Sequence, residues 1–176
     1  RGSELNWVGN YISRDGSLST YENFMGDMFR YMAFMPDPGP SWENADFDYD
    51  HDYKRLGMME SMYTGSNPDL RKYRDRDGKI LVYQGWRDQS VVPLNVIDYY
   101  DLSTNTMGGP EEMQEFFRLF MIPGMNHCSG GAGAYAINYL DYMEDWVENG
   151  EAPDVLIGVH PNVAVDSAGS DLPLDA

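Results

Sequence analysis

The sequence predicts an α/β fold with a parallel sheet, on three observations. Two short, nearly continuous apolar runs, Lys79-Ile-Leu-Val-Tyr83 and Phe116-Phe-Arg-Leu-Phe-Met-Ile122, are closed by the breakers Gly85 and Pro123-Gly124. Such runs are typical of parallel strands buried on both faces. Each run is followed by a segment with helical spacing, so the order is strand, helix, strand, helix. Polar, chemically able residues sit directly after each run, at the carboxyl ends of the strands, where open parallel sheets bind ligands.

Each element has its own signal. Residues 1–70 mix aromatic, Met, Gly and Asp residues around the breaker cluster Pro36-Asp37-Pro38-Gly39-Pro40, and read as a covering segment of short helices and long loops. Tyr21 to Phe24 and Met28 to Met32 carry apolar groups at i+3 and i+4 spacings, which predicts a modest helix there. Pro93 to Tyr100 has Pro at a first-turn position and apolar groups at 96, 97, 99 and 100, so it reads as the helix after the first strand. Thr104 to Pro110 reads as turn. From Tyr135 to Asn149 apolar groups recur at 136, 137, 140, 143, 146 and 147 before Gly150, the pattern of an amphipathic helix with a glycine stop. Residues 161–176 alternate small, Pro and Asp residues and read as a surface tail.

Composition narrows the function classes. The 176 residues are 42% hydrophobic and 14% aromatic, enough for one packed core and too apolar for a disordered chain. A formal net charge of −17 repels phosphate backbones and anionic lipid surfaces, which argues against nucleic-acid and membrane partners; it suits solubility, an acidic or saline exterior or a neutral substrate, and by itself selects no chemistry. No apolar run approaches the roughly 18–20 residues that span a bilayer. The single cysteine, Cys128, is either a buried thiol or half of a disulfide whose partner lies outside these residues. Arg1 opens without Met or a leader, so the sequence reads as a piece of a longer chain.

Two loops carry the chemistry. Gly85-Trp-Arg-Asp88 follows the first predicted strand and Gly124-Met-Asn-His127-Cys128 the second. An acid followed by a base, each after a strand, is the chain order of the last two members of an α/β-hydrolase Ser…Asp…His triad. In that arrangement Asp88 orients the imidazole and His127 moves the proton. The alternative is plain: Asp after a strand commonly closes an Asx-turn, and a loop His is commonly just exposed. Ser129 adjoins the base and lacks a strand-to-helix elbow, so it reads as a loop residue. Asp46-Phe-Asp-Tyr-Asp-His-Asp52 lacks the Gly and distal Glu of an EF-hand loop and reads as a solvated acidic turn. His51 and His160 lack partners at zinc spacing. Trp86 and the Met-rich stretches Met25 to Met35 and Met58 to Met62 suit an apolar wall for an aromatic acyl group, although core filling is the simpler reading of the methionines.

The ordered motifs Ser66-Asn-Pro-Asp-Leu70, Gly78-Lys-Ile-Leu-Val-Tyr-Gln-Gly-Trp-Arg-Asp88, Phe117 through Gly131 and Asp145-Trp-Val-Glu-Asn-Gly-Glu-Ala-Pro-Asp154 resemble the tannase and feruloyl esterase family. The resemblance implies a serine carboxylesterase of α/β-hydrolase fold. Residues 71–160 then form the carboxyl-terminal part of its sheet, its last strands and helices, and 1–70 the end of a lid-like segment. It implies that Asp88 is the acid, His127 the base, and Cys128 half of a disulfide to a cysteine preceding the nucleophilic serine. No Gly-x-Ser-x-Gly occurs, so nucleophile and oxyanion hole are expected upstream and the fragment alone is expected to be inactive. Two strands also leave an open sheet edge, which weighs against independent folding. The implied substrate is a small ester of an aromatic acid, such as a feruloyl or galloyl ester, and the implied location is secreted or periplasmic. No cofactor is implied for catalysis; the family's lid often holds a structural calcium, which matches no residues here. The rival readings are a different α/β-hydrolase with Cys or Asp as nucleophile, and a degenerate acidic binding module on the same scaffold.

Overall fold

A computed structural model describes residue 4 and residues 7–161; the tail beyond 161 lies outside the described residues. The described chain divides into two compact units, 7–66 and 67–161.

In the first unit, helix α1 (Thr20–Tyr31) starts at a capping box. The Ser19 hydroxyl accepts from the Glu22 N–H, and the Glu22 carboxylate accepts from the Ser19 N–H at 2.7 Å. Each thereby satisfies a backbone donor that the first turn leaves orphaned. The unit is held by aromatic packing: Phe29 lies 5.6 Å from Phe34, 5.4 Å from Trp42 and 4.8 Å from Phe47, centroid to centroid. The Arg30 guanidinium stitches the helix to the following loop by donating to the Trp42 carbonyl at 2.7 Å. Helix α2 (Gly57–Tyr63) closes the unit.

Two expectations are corrected here. Met25, Met28, Met32, Met35 and Met62 are all exposed, so they are not core filling; the rings of Phe34 and Trp42 occupy that role. The acidic run is not wholly solvated, because Asp52 is buried, accepting from the Asp48 N–H and from the Arg55 guanidinium.

In the second unit, helix α3 (Arg71–Arg74) leads into strand β1 (Ile80–Gly85), followed by helices α4 (Pro93–Met107) and α5 (Pro110–Gln114), strand β2 (Phe117–Ile122) and helix α6 (Tyr139–Glu144). The strands pair in parallel, from Ile80 opposite Phe117 to Gly85 opposite Ile122. Both carboxyl ends therefore finish level, and the two loops predicted to carry chemistry leave side by side. One core cluster, Met107, Met113, Phe116 and Phe117 with Ile80, Val82, Tyr99 and Tyr100, packs α4 and α5 against the sheet. Each such buried side chain contributes on the order of 1.5–3 kcal/mol. A second cluster, Ile122, Met125 and Tyr135 with Tyr83 and Phe120, supports the carboxyl ends.

The structure departs from the sequence reading in three places. Residues 80–84 are half-buried, not covered on both faces, because among the described residues the sheet has two strands. Thr104 to Met107 continues α4 instead of turning: the Thr104 and Thr106 hydroxyls donate back to the Tyr100 and Leu102 carbonyls, and left-handed Gly108 makes the stop. The last helix begins at Tyr139, because Ala136 is instead bridged antiparallel to Val159; it ends in a π turn, Asp145–Asn149, capped by left-handed Gly150.

Candidate active site

Asp88 stands three residues past β1, in a turn closed by its own N–H donating to the Gly85 carbonyl at 3.2 Å. Its carboxylate is buried, and its two oxygens have separate duties. Oδ1 accepts from the backbone N–H groups of Ser90 at 2.7 Å and Val91 at 2.9 Å, which is the Asx-turn task. Oδ2 accepts from the Gln84 amide at 2.7 Å and faces His127 Nδ1 at 3.0 Å. A residue that only shaped its turn would leave Oδ2 to water. Oδ1 thus closes the turn while Oδ2 faces the imidazole.

Burial pushes the Asp88 carboxyl up, but the hydrogen bonds from Val91, His127, Ser90 and Gln84 outweigh it and hold the group below the ordinary aspartate value. Asp88 is thus an anion at neutral pH, and His127 Nδ1 carries the proton between them. Among the described residues Nε2 makes no hydrogen bond. The His127 side chain is 43% exposed, against 3% for Asp88, so the imidazole is anchored on one side and open on the other.

The loop holding His127 is a tight reversal. Met125 bridges Gly131, the Asn126 N–H donates to the Gly130 carbonyl at 3.1 Å, and Met125 is fully buried beneath. His127, Cys128 and Ser129 form its exposed tip. Cys128 has φ +62°, a left-handed conformation that costs a side-chain-bearing residue about 1–2 kcal/mol. Its thiol is free and exposed within these residues.

The loop is also pinned to β1. The Arg87 N–H donates to the Met125 carbonyl and the Trp86 N–H to the Ile122 carbonyl, both at 3.0 Å. Gly85 makes this approach possible, since a Cβ there would fall onto the Met125 and Asn126 carbonyl oxygens. Tyr83, Gln84, Gly85, Asp88, Val91 and Met125 line, with His127 and Cys128, a cavity of about 230 Å³.

Trp86 is 46% exposed and does not line that cavity. Ser129 is an exposed loop residue. His51 and His160 serve locally, His51 against Asp48 at 2.8 Å and His160 against the Gly133 carbonyl at 2.9 Å. Among the described residues no cluster of three or more His, Cys, Asp or Glu is placed to hold a metal ion, and no helix is long and apolar enough to cross a membrane. Sequence reasoning missed Gln84, which lies between the apolar run and Gly85. Its position four residues before the acid, at the strand's carboxyl end, was the available signal.

These features define a class: an α/β protein with a buried carboxylate holding a half-exposed imidazole at the carboxyl ends of adjacent parallel strands. The chain belongs to the tannase and feruloyl esterase family, whose sequence model, "Tannase and feruloyl esterase", matches residues 5–174. It is 34% identical over 161 residues to mono(2-hydroxyethyl) terephthalate hydrolase of Piscinibacter sakaiensis, covering 84% of this chain and 26% of that protein. It is 35% identical over 147 residues to the probable feruloyl esterase B-2 of Aspergillus terreus, covering 75% and 27%. The crystal structure of feruloyl esterase B from Aspergillus oryzae superposes with a TM-score of 0.68 at 30% identity, over 76% of this chain and 29% of that one. The chain therefore spans between about a quarter and a third of the length of these relatives.

Proposed function

We propose that this chain supplies the acid and base of a serine carboxylesterase that cleaves esters of aromatic acids through an acyl-enzyme, with the serine elsewhere in the complete protein. The observation that carries the reading is the contact of 3.0 Å between His127 Nδ1 and buried Asp88 Oδ2, which leaves Nε2 open. Asp88 fixes the tautomer with the proton on Nδ1. Nε2 then takes the serine proton as the hydroxyl attacks the ester carbonyl, and the imidazolium that forms is stabilised by the Asp88 charge. The same Nε2 proton passes to the departing alkoxide. A water, deprotonated in turn by His127, releases the acid and restores the serine.

The substrate class rests on the relatives' names, which pair a terephthalate monoester with feruloyl esters, both esters of aromatic acids. Cys128, exposed at the loop tip beside the base, is in this reading half of a disulfide that ties the base loop to the nucleophile turn, a preorganising link that fits an exported enzyme, secreted or periplasmic.

The test is turnover of feruloyl, galloyl and terephthalate monoesters by the complete protein and its His127→Ala variant. The reading expects aromatic ester cleavage that falls by several orders of magnitude in the variant. Near-wild-type turnover in folded His127→Ala removes His127 from the chemistry. No cleavage of any ester by the complete protein favours a binding module that keeps only the scaffold.

A further inference from the structure

We infer that Gln84 is a positioning residue for the acid–base couple: it locks the rotation of the Asp88 carboxylate and shares the charge of the one oxygen that receives His127. The inference rests on the esterase reading above and deepens it. Gln84 is the penultimate residue of β1, paired with Met121 in a register that leaves little freedom, so its side chain leaves from a fixed point. Its Nε2 donates to Asp88 Oδ2 at 2.7 Å, the same atom that faces His127 Nδ1 at 3.0 Å. The opposite amide orientation would set oxygen against oxygen, so this contact fixes the amide as well.

The turn does not require that bond. Ser90 and Val91 already close it through Oδ1, and the Asp88 N–H through Gly85. With Oδ1 alone held, the carboxylate can still rock about its Cβ–Cγ bond and carry Oδ2 out of line with the imidazole. A donor on Oδ2 from the strand side stops that motion. It also draws part of the negative charge towards the amide, so the imidazolium is held less tightly than by an unshared carboxylate. Gln84 thus acts on where Oδ2 sits and on how strongly it attracts a proton. Among the described residues, the other titratable groups lining the cavity around the couple are Tyr83 from β1 and Cys128 from the base's loop.

The experiment uses the complete enzyme with an aromatic ester, comparing Gln84→Met, Gln84→Glu and His127→Ala by kcat, KM, thermal midpoint and the pH profile of kcat/KM. Methionine fills the same volume without a donor. Its expected signature is a kcat lower by about tenfold with KM within twofold, and an acid limb displaced upward by roughly half a pH unit because the Asp88 charge is no longer shared. Glutamate, of the same size, turns attraction at Oδ2 into repulsion once ionised, and its kcat is expected below that of Gln84→Met. An unmoved acid limb in folded Gln84→Met overturns the inference, whether kcat is retained or lost, since a merely structural side chain would leave the limb in place. Wild-type kcat in Gln84→Glu overturns it independently should the methionine variant not fold. His127→Ala separates the two levels: if it stays active the esterase reading itself fails, whereas its inactivity beside a normal profile in Gln84→Met removes only the role of Gln84.

Discussion

Replacing Gly85 by Ala probes the junction on which the site depends. Gly85 ends β1 directly beneath the base loop, and a Cβ built there lies 2.6 Å from the Asn126 carbonyl oxygen and nearer still to that of Met125, where real contacts stay beyond 3.0 Å. Both obstacles are backbone, so no side chain can swing aside. The loop must retreat by several tenths of an ångström at Asn126 and further at Met125, the residues just before His127. The Arg87 bond to the Met125 carbonyl, at 3.0 Å, lengthens with it. Overpacking of this kind costs about 1–3 kcal/mol of stability. A displacement of about 1 Å in a catalytic group costs on the order of a hundredfold in rate. Turnover of an aromatic ester by the complete enzyme, read beside its thermal midpoint, should therefore show a loss of activity larger than the loss of stability explains. A Gly85→Ala enzyme with wild-type midpoint and kcat within twofold would refute the close approach of strand and loop.

Other predictions follow from the same contacts. Asp88→Asn keeps the shape of the acid but not its charge, and should lower kcat by roughly a thousandfold or more with KM little changed, in steady-state kinetics of the complete enzyme. Because the folded carboxyl of Asp88 is held below its ordinary value, it adds stability at pH above that value, which is lost as pH falls through the folded one; denaturant titrations across that range should show a flatter acid side in Asp88→Asn. Tyr139 stacks on Tyr83 at 3.8 Å, and its hydroxyl is buried without a partner among the described residues, with burial pushing it up to about 12. Tyr139→Phe keeps the stack and should leave stability unchanged or raise it by about 1 kcal/mol, and a marked fall in thermal midpoint would contradict this. In the complete, unreduced protein Cys128 should resist a thiol reagent and become labelled after reduction; labelling before reduction would dismiss the disulfide.

Much of the site was legible because its chemistry is local to chain order. An acid and a base directly after two apolar strands meet once those strands pair in parallel and in level register, as Gly85 and Ile122 do. The strands announced themselves by nearly continuous apolar runs between breakers. What stayed hidden was decided by tertiary contacts. Thr104 and Thr106 look like turn residues, yet their hydroxyls are absorbed by carbonyls one helical turn back, so α4 runs on to Met107. Ala136 carries helical spacing, yet its backbone groups exchange bonds with Val159, twenty-three residues on, and delay α6. Met25, Met28, Met32, Met35 and Met62 have the hydrophobicity of a core, but neighbouring aromatic rings fill that space. Gln84 was overlooked because one amide in a strand has no meaning until the carboxylate it meets is in place.

The most direct test of the central claim, that Asp88 and His127 work as one device, is a double-mutant cycle on kcat in the complete enzyme with an aromatic ester. Groups that act only through each other lose nothing further when both are removed. Asp88→Asn combined with His127→Ala should therefore be no slower than His127→Ala alone. Losses that multiply, each substitution costing its full factor in the presence of the other, would show two independent residues and contradict the couple.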